Sequence, residues 1–128
     1  FEEVLMLKLS SVMIGSSDPK KLSDFYSKVL EKQPDMEESG WYGYSVGECF
    51  LSIGAHDKVK GNSINPERVI FNFETREVQE EFDRIKGLGA TVIAEPYKMD
   101  GWDKPGIATL ADPEGNYFQL MHPWGENK

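Results

Sequence analysis

The chain has 128 residues, one domain's worth, and can bury a core without covalent or metal staples. Its 22 acidic and 14 basic side chains leave a net charge of −8, which argues against nucleic acid or an anionic membrane surface as partner, because both need a basic footprint; the same balance is also an ordinary solubility setting. Cys49 is the only cysteine, so no intrachain disulfide can form, and a lone thiol fits a reducing cytoplasm.

No apolar run approaches the roughly 18 residues needed to span a bilayer. Residues 1–5 lack the basic and apolar regions of a secretory signal, and Met6 is a candidate start with that stretch upstream of it.

Residues 7–15 alternate loosely and predict a strand, with Val12 and Ile14 on one face and Ser11 and Met13 on the other. Asp18 followed by Pro19 predicts a helix start, since proline at the first helical position lacks only an amide that would have no intrahelical partner. Leu22, Phe25, Tyr26, Val29 and Leu30 form its apolar stripe, and it is expected to end near 31–33, before Pro34. Short strands follow at 34–38, 41–46 and 48–54, with a tight hairpin at Gly47, and 55–66 reads as a polar connection.

Residues 67–73 predict the next strand, with Arg68, Ile70 and Asn72 on one face and Val69, Phe71 and Phe73 on the other. Thr75 is the expected cap of a second helix carrying Val78, Phe82, Ile85 and Leu88, stopped by Gly87 and Gly89. Strands at 91–95 and 106–111 flank a long connection with Tyr97, Met99 and Trp102. Asp112-Pro113-Glu114-Gly115-Asn116 is a turn: proline fixes φ, Gly115 and Asn116 tolerate positive φ, and Asp112 can accept bonds from the amides ahead of it. It delivers a last strand, 117–121.

The order strand, helix, three strands therefore occurs twice. Fifty-seven positions separate Ser11 from Arg68, Asp18 from Thr75 and Phe25 from Phe82, and 67 separate Ser52 from Gln119. Each half is expected to bury one sheet face beneath its helix. By parity the opposite faces carry Ser11, Met13, Phe50, Ser52, Arg68, Ile70, Asn72, Tyr117, Gln119 and Met121, an apolar lining with a few polar groups that suits a small-molecule ligand.

The Asp18-Pro19…Leu22…Phe25-Tyr26…Val29-Leu30 start and the Asp112-Pro113-Glu114-Gly115-Asn116…Gln119-Leu120 finish resemble the vicinal oxygen chelate superfamily: glyoxalase I, extradiol dioxygenases and bleomycin-resistance proteins. The resemblance runs from about Leu7 to His122. It implies an α+β fold of two βαβββ modules in one domain, forming a curved mixed sheet around a cup, and a homodimer. The modules fall at about 7–55 and 67–122, with a linker at 56–66 and a tail at 123–128. It also implies a divalent metal held by His and Glu side chains on the first and last strands of each module. The matching positions are Ser11, Ser52, Arg68 and Gln119. None offers a carboxylate or imidazole, and a guanidinium repels a cation. The expectation is thus no metal and no cofactor.

Arg68 admits two readings: an anchor for an anionic ligand, or a rim arginine paired with Glu48 or Glu95. His56 and His122 lie beyond the vacant positions and are expected at the mouth or surface. Trp102, in a glycine-flanked loop, is a candidate lid, and Trp124 a candidate interface anchor. Tyr42 or Tyr44 reads as dimer interface or ordinary core packing, and Cys49 as a buried small hydrophobe. The resulting expectation is a metal-free, cytoplasmic small-molecule-binding protein, with an antibiotic or other small organic, even anionic, compound as ligand. Ser11, Met13, Phe50, Ser52, Arg68, Asn72, Trp102, Tyr117, Gln119 and Met121 would hold that ligand. The alternative is an enzyme of the same fold, with His122 or a carboxylate as acid/base or with non-standard metal ligands; a third is an accessory subunit.

Overall fold

A computed structural model describes residues 6–123. The expected assignments at residues 1–5 and at Trp124 lie outside the described residues. The chain divides into two compact units between Lys60 and Gly61.

Unit one holds β1 (Ser11–Ser16), α1 (Pro19–Leu30), β2 (Met36–Glu38), β3 (Trp41–Val46) and β4 (Cys49–Ala55). Its sheet runs β1-β4-β3-β2, with β1 parallel to β4 and the other neighbours antiparallel. The helix starts as its sequence dictates. Asp18 accepts the Lys21 amide at 3.2 Å, its own amide donates to Ser16 Oγ at 2.9 Å, and Pro19 follows at the first turn. It ends at Glu31, left-handed with φ 56, whose amide bonds to the Ser27 carbonyl. Leu22, Phe25, Tyr26 and Val29 are buried with Ile14, Tyr44, Leu51 and Ile53, each worth about 1.5–3 kcal/mol of apolar burial. Tyr44 is core, one of the two places expected for that pair of tyrosines. Its hydroxyl donates to the Ser23 carbonyl at 2.9 Å and bonds Ser27 Oγ at 2.8 Å, so the buried phenol is satisfied. Cys49 is half-buried rather than buried, because it opens β4 beside the exposed Gly47-Glu48 turn.

Unit two holds β5 (Phe71–Glu74), α2 (Val78–Gly87), β6 (Thr91–Tyr97), β7 (Ile107–Ala111) and β8 (Tyr117–Met121). Its sheet runs β5-β8-β7-β6, again with one parallel pair, β5 and β8. Val78, Phe82 and Ile85 on α2 are buried, as are Ala108, Leu110, Phe118 and Leu120. The repeated βαβββ order and the α+β class match the sequence reading, as two four-stranded mixed sheets. Among the described residues, no helix is long and apolar enough to cross a membrane.

The start of the second repeat differs from its expected place. Residues 67–70 are not strand: Pro66 opens a turn in which the Arg68 amide donates to the Asn65 carbonyl at 3.1 Å. Thr75 is not the helix cap either. Its Oγ1 accepts the Glu77 amide at 3.0 Å, and Glu77 is the cap residue. The caps Asp18 and Glu77 are therefore 59 positions apart, as are Met13 and Asn72, which sit beside Ser52 and Gln119 respectively. The first strand and helix of the two modules are related by 59 positions, not 57. The first strand of module one is likewise shorter than expected and begins at Ser11.

Candidate functional site

The helix-free face of unit one is paved by aromatic rings lying on glycines. Across the sheet run Met13, Ser52, Gly43 and Met36, and beside them Ser11, Phe50 and Ser45. The Phe50 ring lies over Gly43, where an added Cβ would come within 2.4 Å of it. Trp41 lies over Gly54 in the same way, at 2.3 Å. Any side chain at Gly43 or Gly54 would lift a ring off the sheet. At the end of β1, Val59 and the exposed His56 fold against Gly15.

The corresponding face of unit two is more polar. Asn72, Gln119 and Thr109 are neighbours across β5, β8 and β7. The Gln119 amide nitrogen donates to Thr109 Oγ1 at 3.1 Å. Tyr117 and Met121 stand two residues either side of Gln119 on the same face. Asp112 fixes the turn before β8: Oδ1 accepts the amides of Glu114 (2.9 Å) and Asn116 (3.0 Å), and Oδ2 accepts the Asn116 side chain (3.0 Å).

Where β5 and β8 end, Asn72, Glu74, Met121 and His122 line a pocket of about 210 Å³. Asn72 and Glu74 reach it because alternation puts both on the face away from Phe71 and Phe73. The Thr75 amide bonds to the Met121 carbonyl, extending the ladder to the pocket, and the His122 amide bonds to the Gly106 carbonyl, both at 2.9 Å. His122 is only 4% exposed. Its Nδ1 faces the Pro123 carbonyl at 3.3 Å. A carbonyl only accepts, so this contact puts the proton of a neutral imidazole on Nδ1 and leaves the Nε2 lone pair free. The Trp102 ring packs edge-on to His122, with centroids 5.9 Å apart, and occupies the space a side chain at Gly106 would need.

Of the expected ligand-binding residues, Asn72 and Met121 line this pocket, Gln119 precedes Met121 on β8 beside Asn72, and Trp102 backs its histidine wall. Ser11, Met13, Phe50 and Ser52 share the face of unit one. Arg68 stands apart, exposed in the turn before β5. The histidine expectation needs correction: His56 is at the surface, but His122 is buried, because β8 carries it back under Trp102 and Gly106. Glu74 was missed because the strand was expected to stop at Phe73. One more residue of alternation would have included it.

The register also changes which residues stand at the positions where the resemblance implied metal ligands. Ser11 pairs with Phe50, the counterpart of Tyr117, and the residue facing Tyr117 by extension of the β5–β8 register is Ile70, not Arg68. The matching positions are therefore Ser11 and Ser52 in unit one and Ile70 and Gln119 in unit two: two hydroxyls, a hydrocarbon and an amide. That donor set does not fit a divalent cation. Among the described residues, no three His, Cys, Asp or Glu side chains converge elsewhere.

A family model described as a glyoxalase-like domain matches residues 11–121. The chain belongs to this glyoxalase-like family. The two-module fold and the expected vicinal oxygen chelate relationship agree with that membership. Among solved structures, a glyoxalase/bleomycin resistance protein/dioxygenase family enzyme from Burkholderia phytofirmans PsJN is 25% identical (TM-score 0.72), covering 91% of this chain and 98% of its own. A lactoylglutathione lyase from Agrobacterium tumefaciens is 17% identical (TM-score 0.70), covering 92% and 96%. The genomically encoded fosfomycin resistance protein FosX from Listeria monocytogenes is 18% identical (TM-score 0.66), covering 98% of both chains. The last two likenesses are of fold alone. No curated protein matches the sequence.

Proposed function

We propose that this glyoxalase-like chain is a small-molecule-binding protein that works without a resident metal, sequestering an antibiotic or another small organic compound. The observation that carries the reading is the residue chemistry at the positions where the resemblance implies metal ligands, Ser11 and Ser52 in unit one and Ile70 and Gln119 in unit two, where hydroxyls, an alkyl group and an amide stand in place of imidazole and carboxylate. The name of the Listeria relative, a fosfomycin resistance protein, supports the ligand class by analogy. The test is to strip the protein with chelator, reload it with Zn²⁺, Ni²⁺ or Mn²⁺, and measure bound metal and thermal unfolding. The expected result is no stoichiometric uptake and no stabilisation. One equivalent bound, with a raised Tm, overturns it. The same reading takes the protein as a cytoplasmic homodimer, which light scattering across concentrations checks; a monomer throughout would remove the dimer.

A second reading, a metal-independent enzyme, is favoured by one observation: the buried His122 and the Glu74 carboxylate border the same pocket, as an acid/base pair would. Turnover abolished by His122→Gln in chelator-treated protein would select this reading. A ligand recovered chemically unchanged after saturation and long incubation selects the binder.

A further inference from the structure

We infer that the pocket at the ends of β5 and β8 receives its ligand through a protonated amine. This rests on the ligand-binding reading above and names the chemical class that the pocket accepts. It departs from the anionic ligand that Arg68 suggested, since Arg68 is exposed in the turn at Asn65 and is not among the residues lining the pocket.

The walls are rich in acceptors. Glu74 contributes a carboxylate, and neither Lys nor Arg is among the lining residues. No ion pair or side-chain hydrogen bond engages Glu74 among the described residues. In its neutral form His122, 4% exposed, meets the Pro123 carbonyl at 3.3 Å through Nδ1, and a carbonyl can only accept. Its Nε2 has no protein partner among the described residues, yet no buried side-chain nitrogen or oxygen there lacks one. Nε2 therefore reaches open space, and the space that His122 borders is the pocket. Met121 adds a thioether, a weak acceptor, and Asn72 an amide oxygen. A lone pair that opens onto the pocket without a protein donor is left to water, and a donor on the ligand can take that place.

An ammonium group answers all of these at once. It has three N–H donors and no acceptor, like a lysine head group, and its charge complements Glu74. A carboxylate or phosphate ligand would meet the Glu74 charge with its own and leave Nε2 unmatched. A pocket of about 210 Å³ is smaller than the roughly 300–1,000 Å³ of sites that enclose drug-sized ligands. It holds an amine-bearing end of a molecule, with the remainder outside.

Three probes of one shape test this: benzylamine, benzyl alcohol and sodium benzoate, each titrated to roughly 10 mM, where a Kd near 1 mM is well resolved. Binding is followed by NMR at the Asn72 side-chain amide, the Met121 methyl and the His122 ring. Benzylamine is expected to move all three saturably, and benzyl alcohol to bind more weakly. Benzoate is expected to leave them unmoved. Glu74→Gln, at an exposed position where the fold tolerates it, should weaken benzylamine about fivefold, the scale of a solvent-exposed charge pair. Asp24→Asn, which removes a carboxylate from α1, should change nothing. Benzoate binding at these residues as tightly as benzylamine, or no effect of Glu74→Gln, overturns the amine assignment while the ligand-binding reading stands. If no probe moves any of the three signals, the pocket does not receive an amine and the assignment falls, while the ligand-binding reading is judged separately by the metal-reloading test.

Discussion

Gln119 and Thr109 are held together across β8 and β7 by a 3.1 Å hydrogen bond from the amide nitrogen of one to the hydroxyl of the other. The amide at the position where the resemblance implied a metal ligand is thus committed to a buried hydroxyl. Gln119→Leu keeps the bulk and removes the donor, leaving the Thr109 hydroxyl, 6% exposed, without that partner. We expect a loss of about 1–2 kcal/mol in urea unfolding. No change would mean that the hydroxyl finds another partner.

Gly106 and Trp102 cannot both keep their places if the glycine gains a side chain. A Cβ would fall 1.6 Å from the indole. Gly106→Ala should expel the ring at about 1–3 kcal/mol. Because Trp102 stands edge-on to His122, the His122 ring protons should lose their ring-current shift. Retained His122 shifts in a folded Gly106→Ala protein would show that Trp102 does not back the pocket.

The turn before β8 depends on one carboxylate. Asp112, 4% exposed, accepts the amides of Glu114 and Asn116 as well as the Asn116 side chain. Asp112→Ala should destabilise by about 3 kcal/mol, since two amides lose a charged acceptor. Asp112→Asn, which retains one acceptor oxygen, should lose less. Equal losses in chemical denaturation would show that the charge is immaterial.

This turn and the first helix were legible because their signals are local: a side chain bonding amides two to four residues on, and Asp18-Pro19 at a helix start. The second helix was misplaced by a competing local signal. Thr75 has the chemistry of a cap and does accept an amide, from Glu77, but the helix begins after that. The slip of two positions preserves strand parity, so Asn72 and Gln119 still fell on one face. It moved the position matched to Ser11 from Ile70 to Arg68 and so placed a charge where the register puts a hydrocarbon. The burial of His122 was not legible, because it depends on Gly106 and Trp102, reached only through a long irregular connection.

Asp35 joins α1 to the start of β2 and β3. Its carboxylate lies 2.7 Å from the Lys32 ammonium and accepts the Ser45 amide at 2.7 Å. The Lys32 hydrogen bond first, then the Ser45 amide, hold its pKa below the ordinary 3.8. A depressed folded value means that its contribution is complete above the unfolded pKa and is lost as pH falls through the folded one. Stability of the wild type relative to Asp35→Asn should therefore be constant near neutrality and shrink below about pH 4. A difference that grows on acidification would reverse the assignment.

The burial of β7 on both faces, residue after residue, has a consequence for motion. Its amides lie between two strands and should exchange with solvent last, on the scale of global unfolding. β5 is four residues long and ends the sheet order, so its amides should exchange by local opening. Asn72 and Glu74 belong to that yielding strand, while Thr109 belongs to the rigid one. A ligand seated at the pocket would then declare itself by slowed deuterium uptake in β5, with β7 already at its limit.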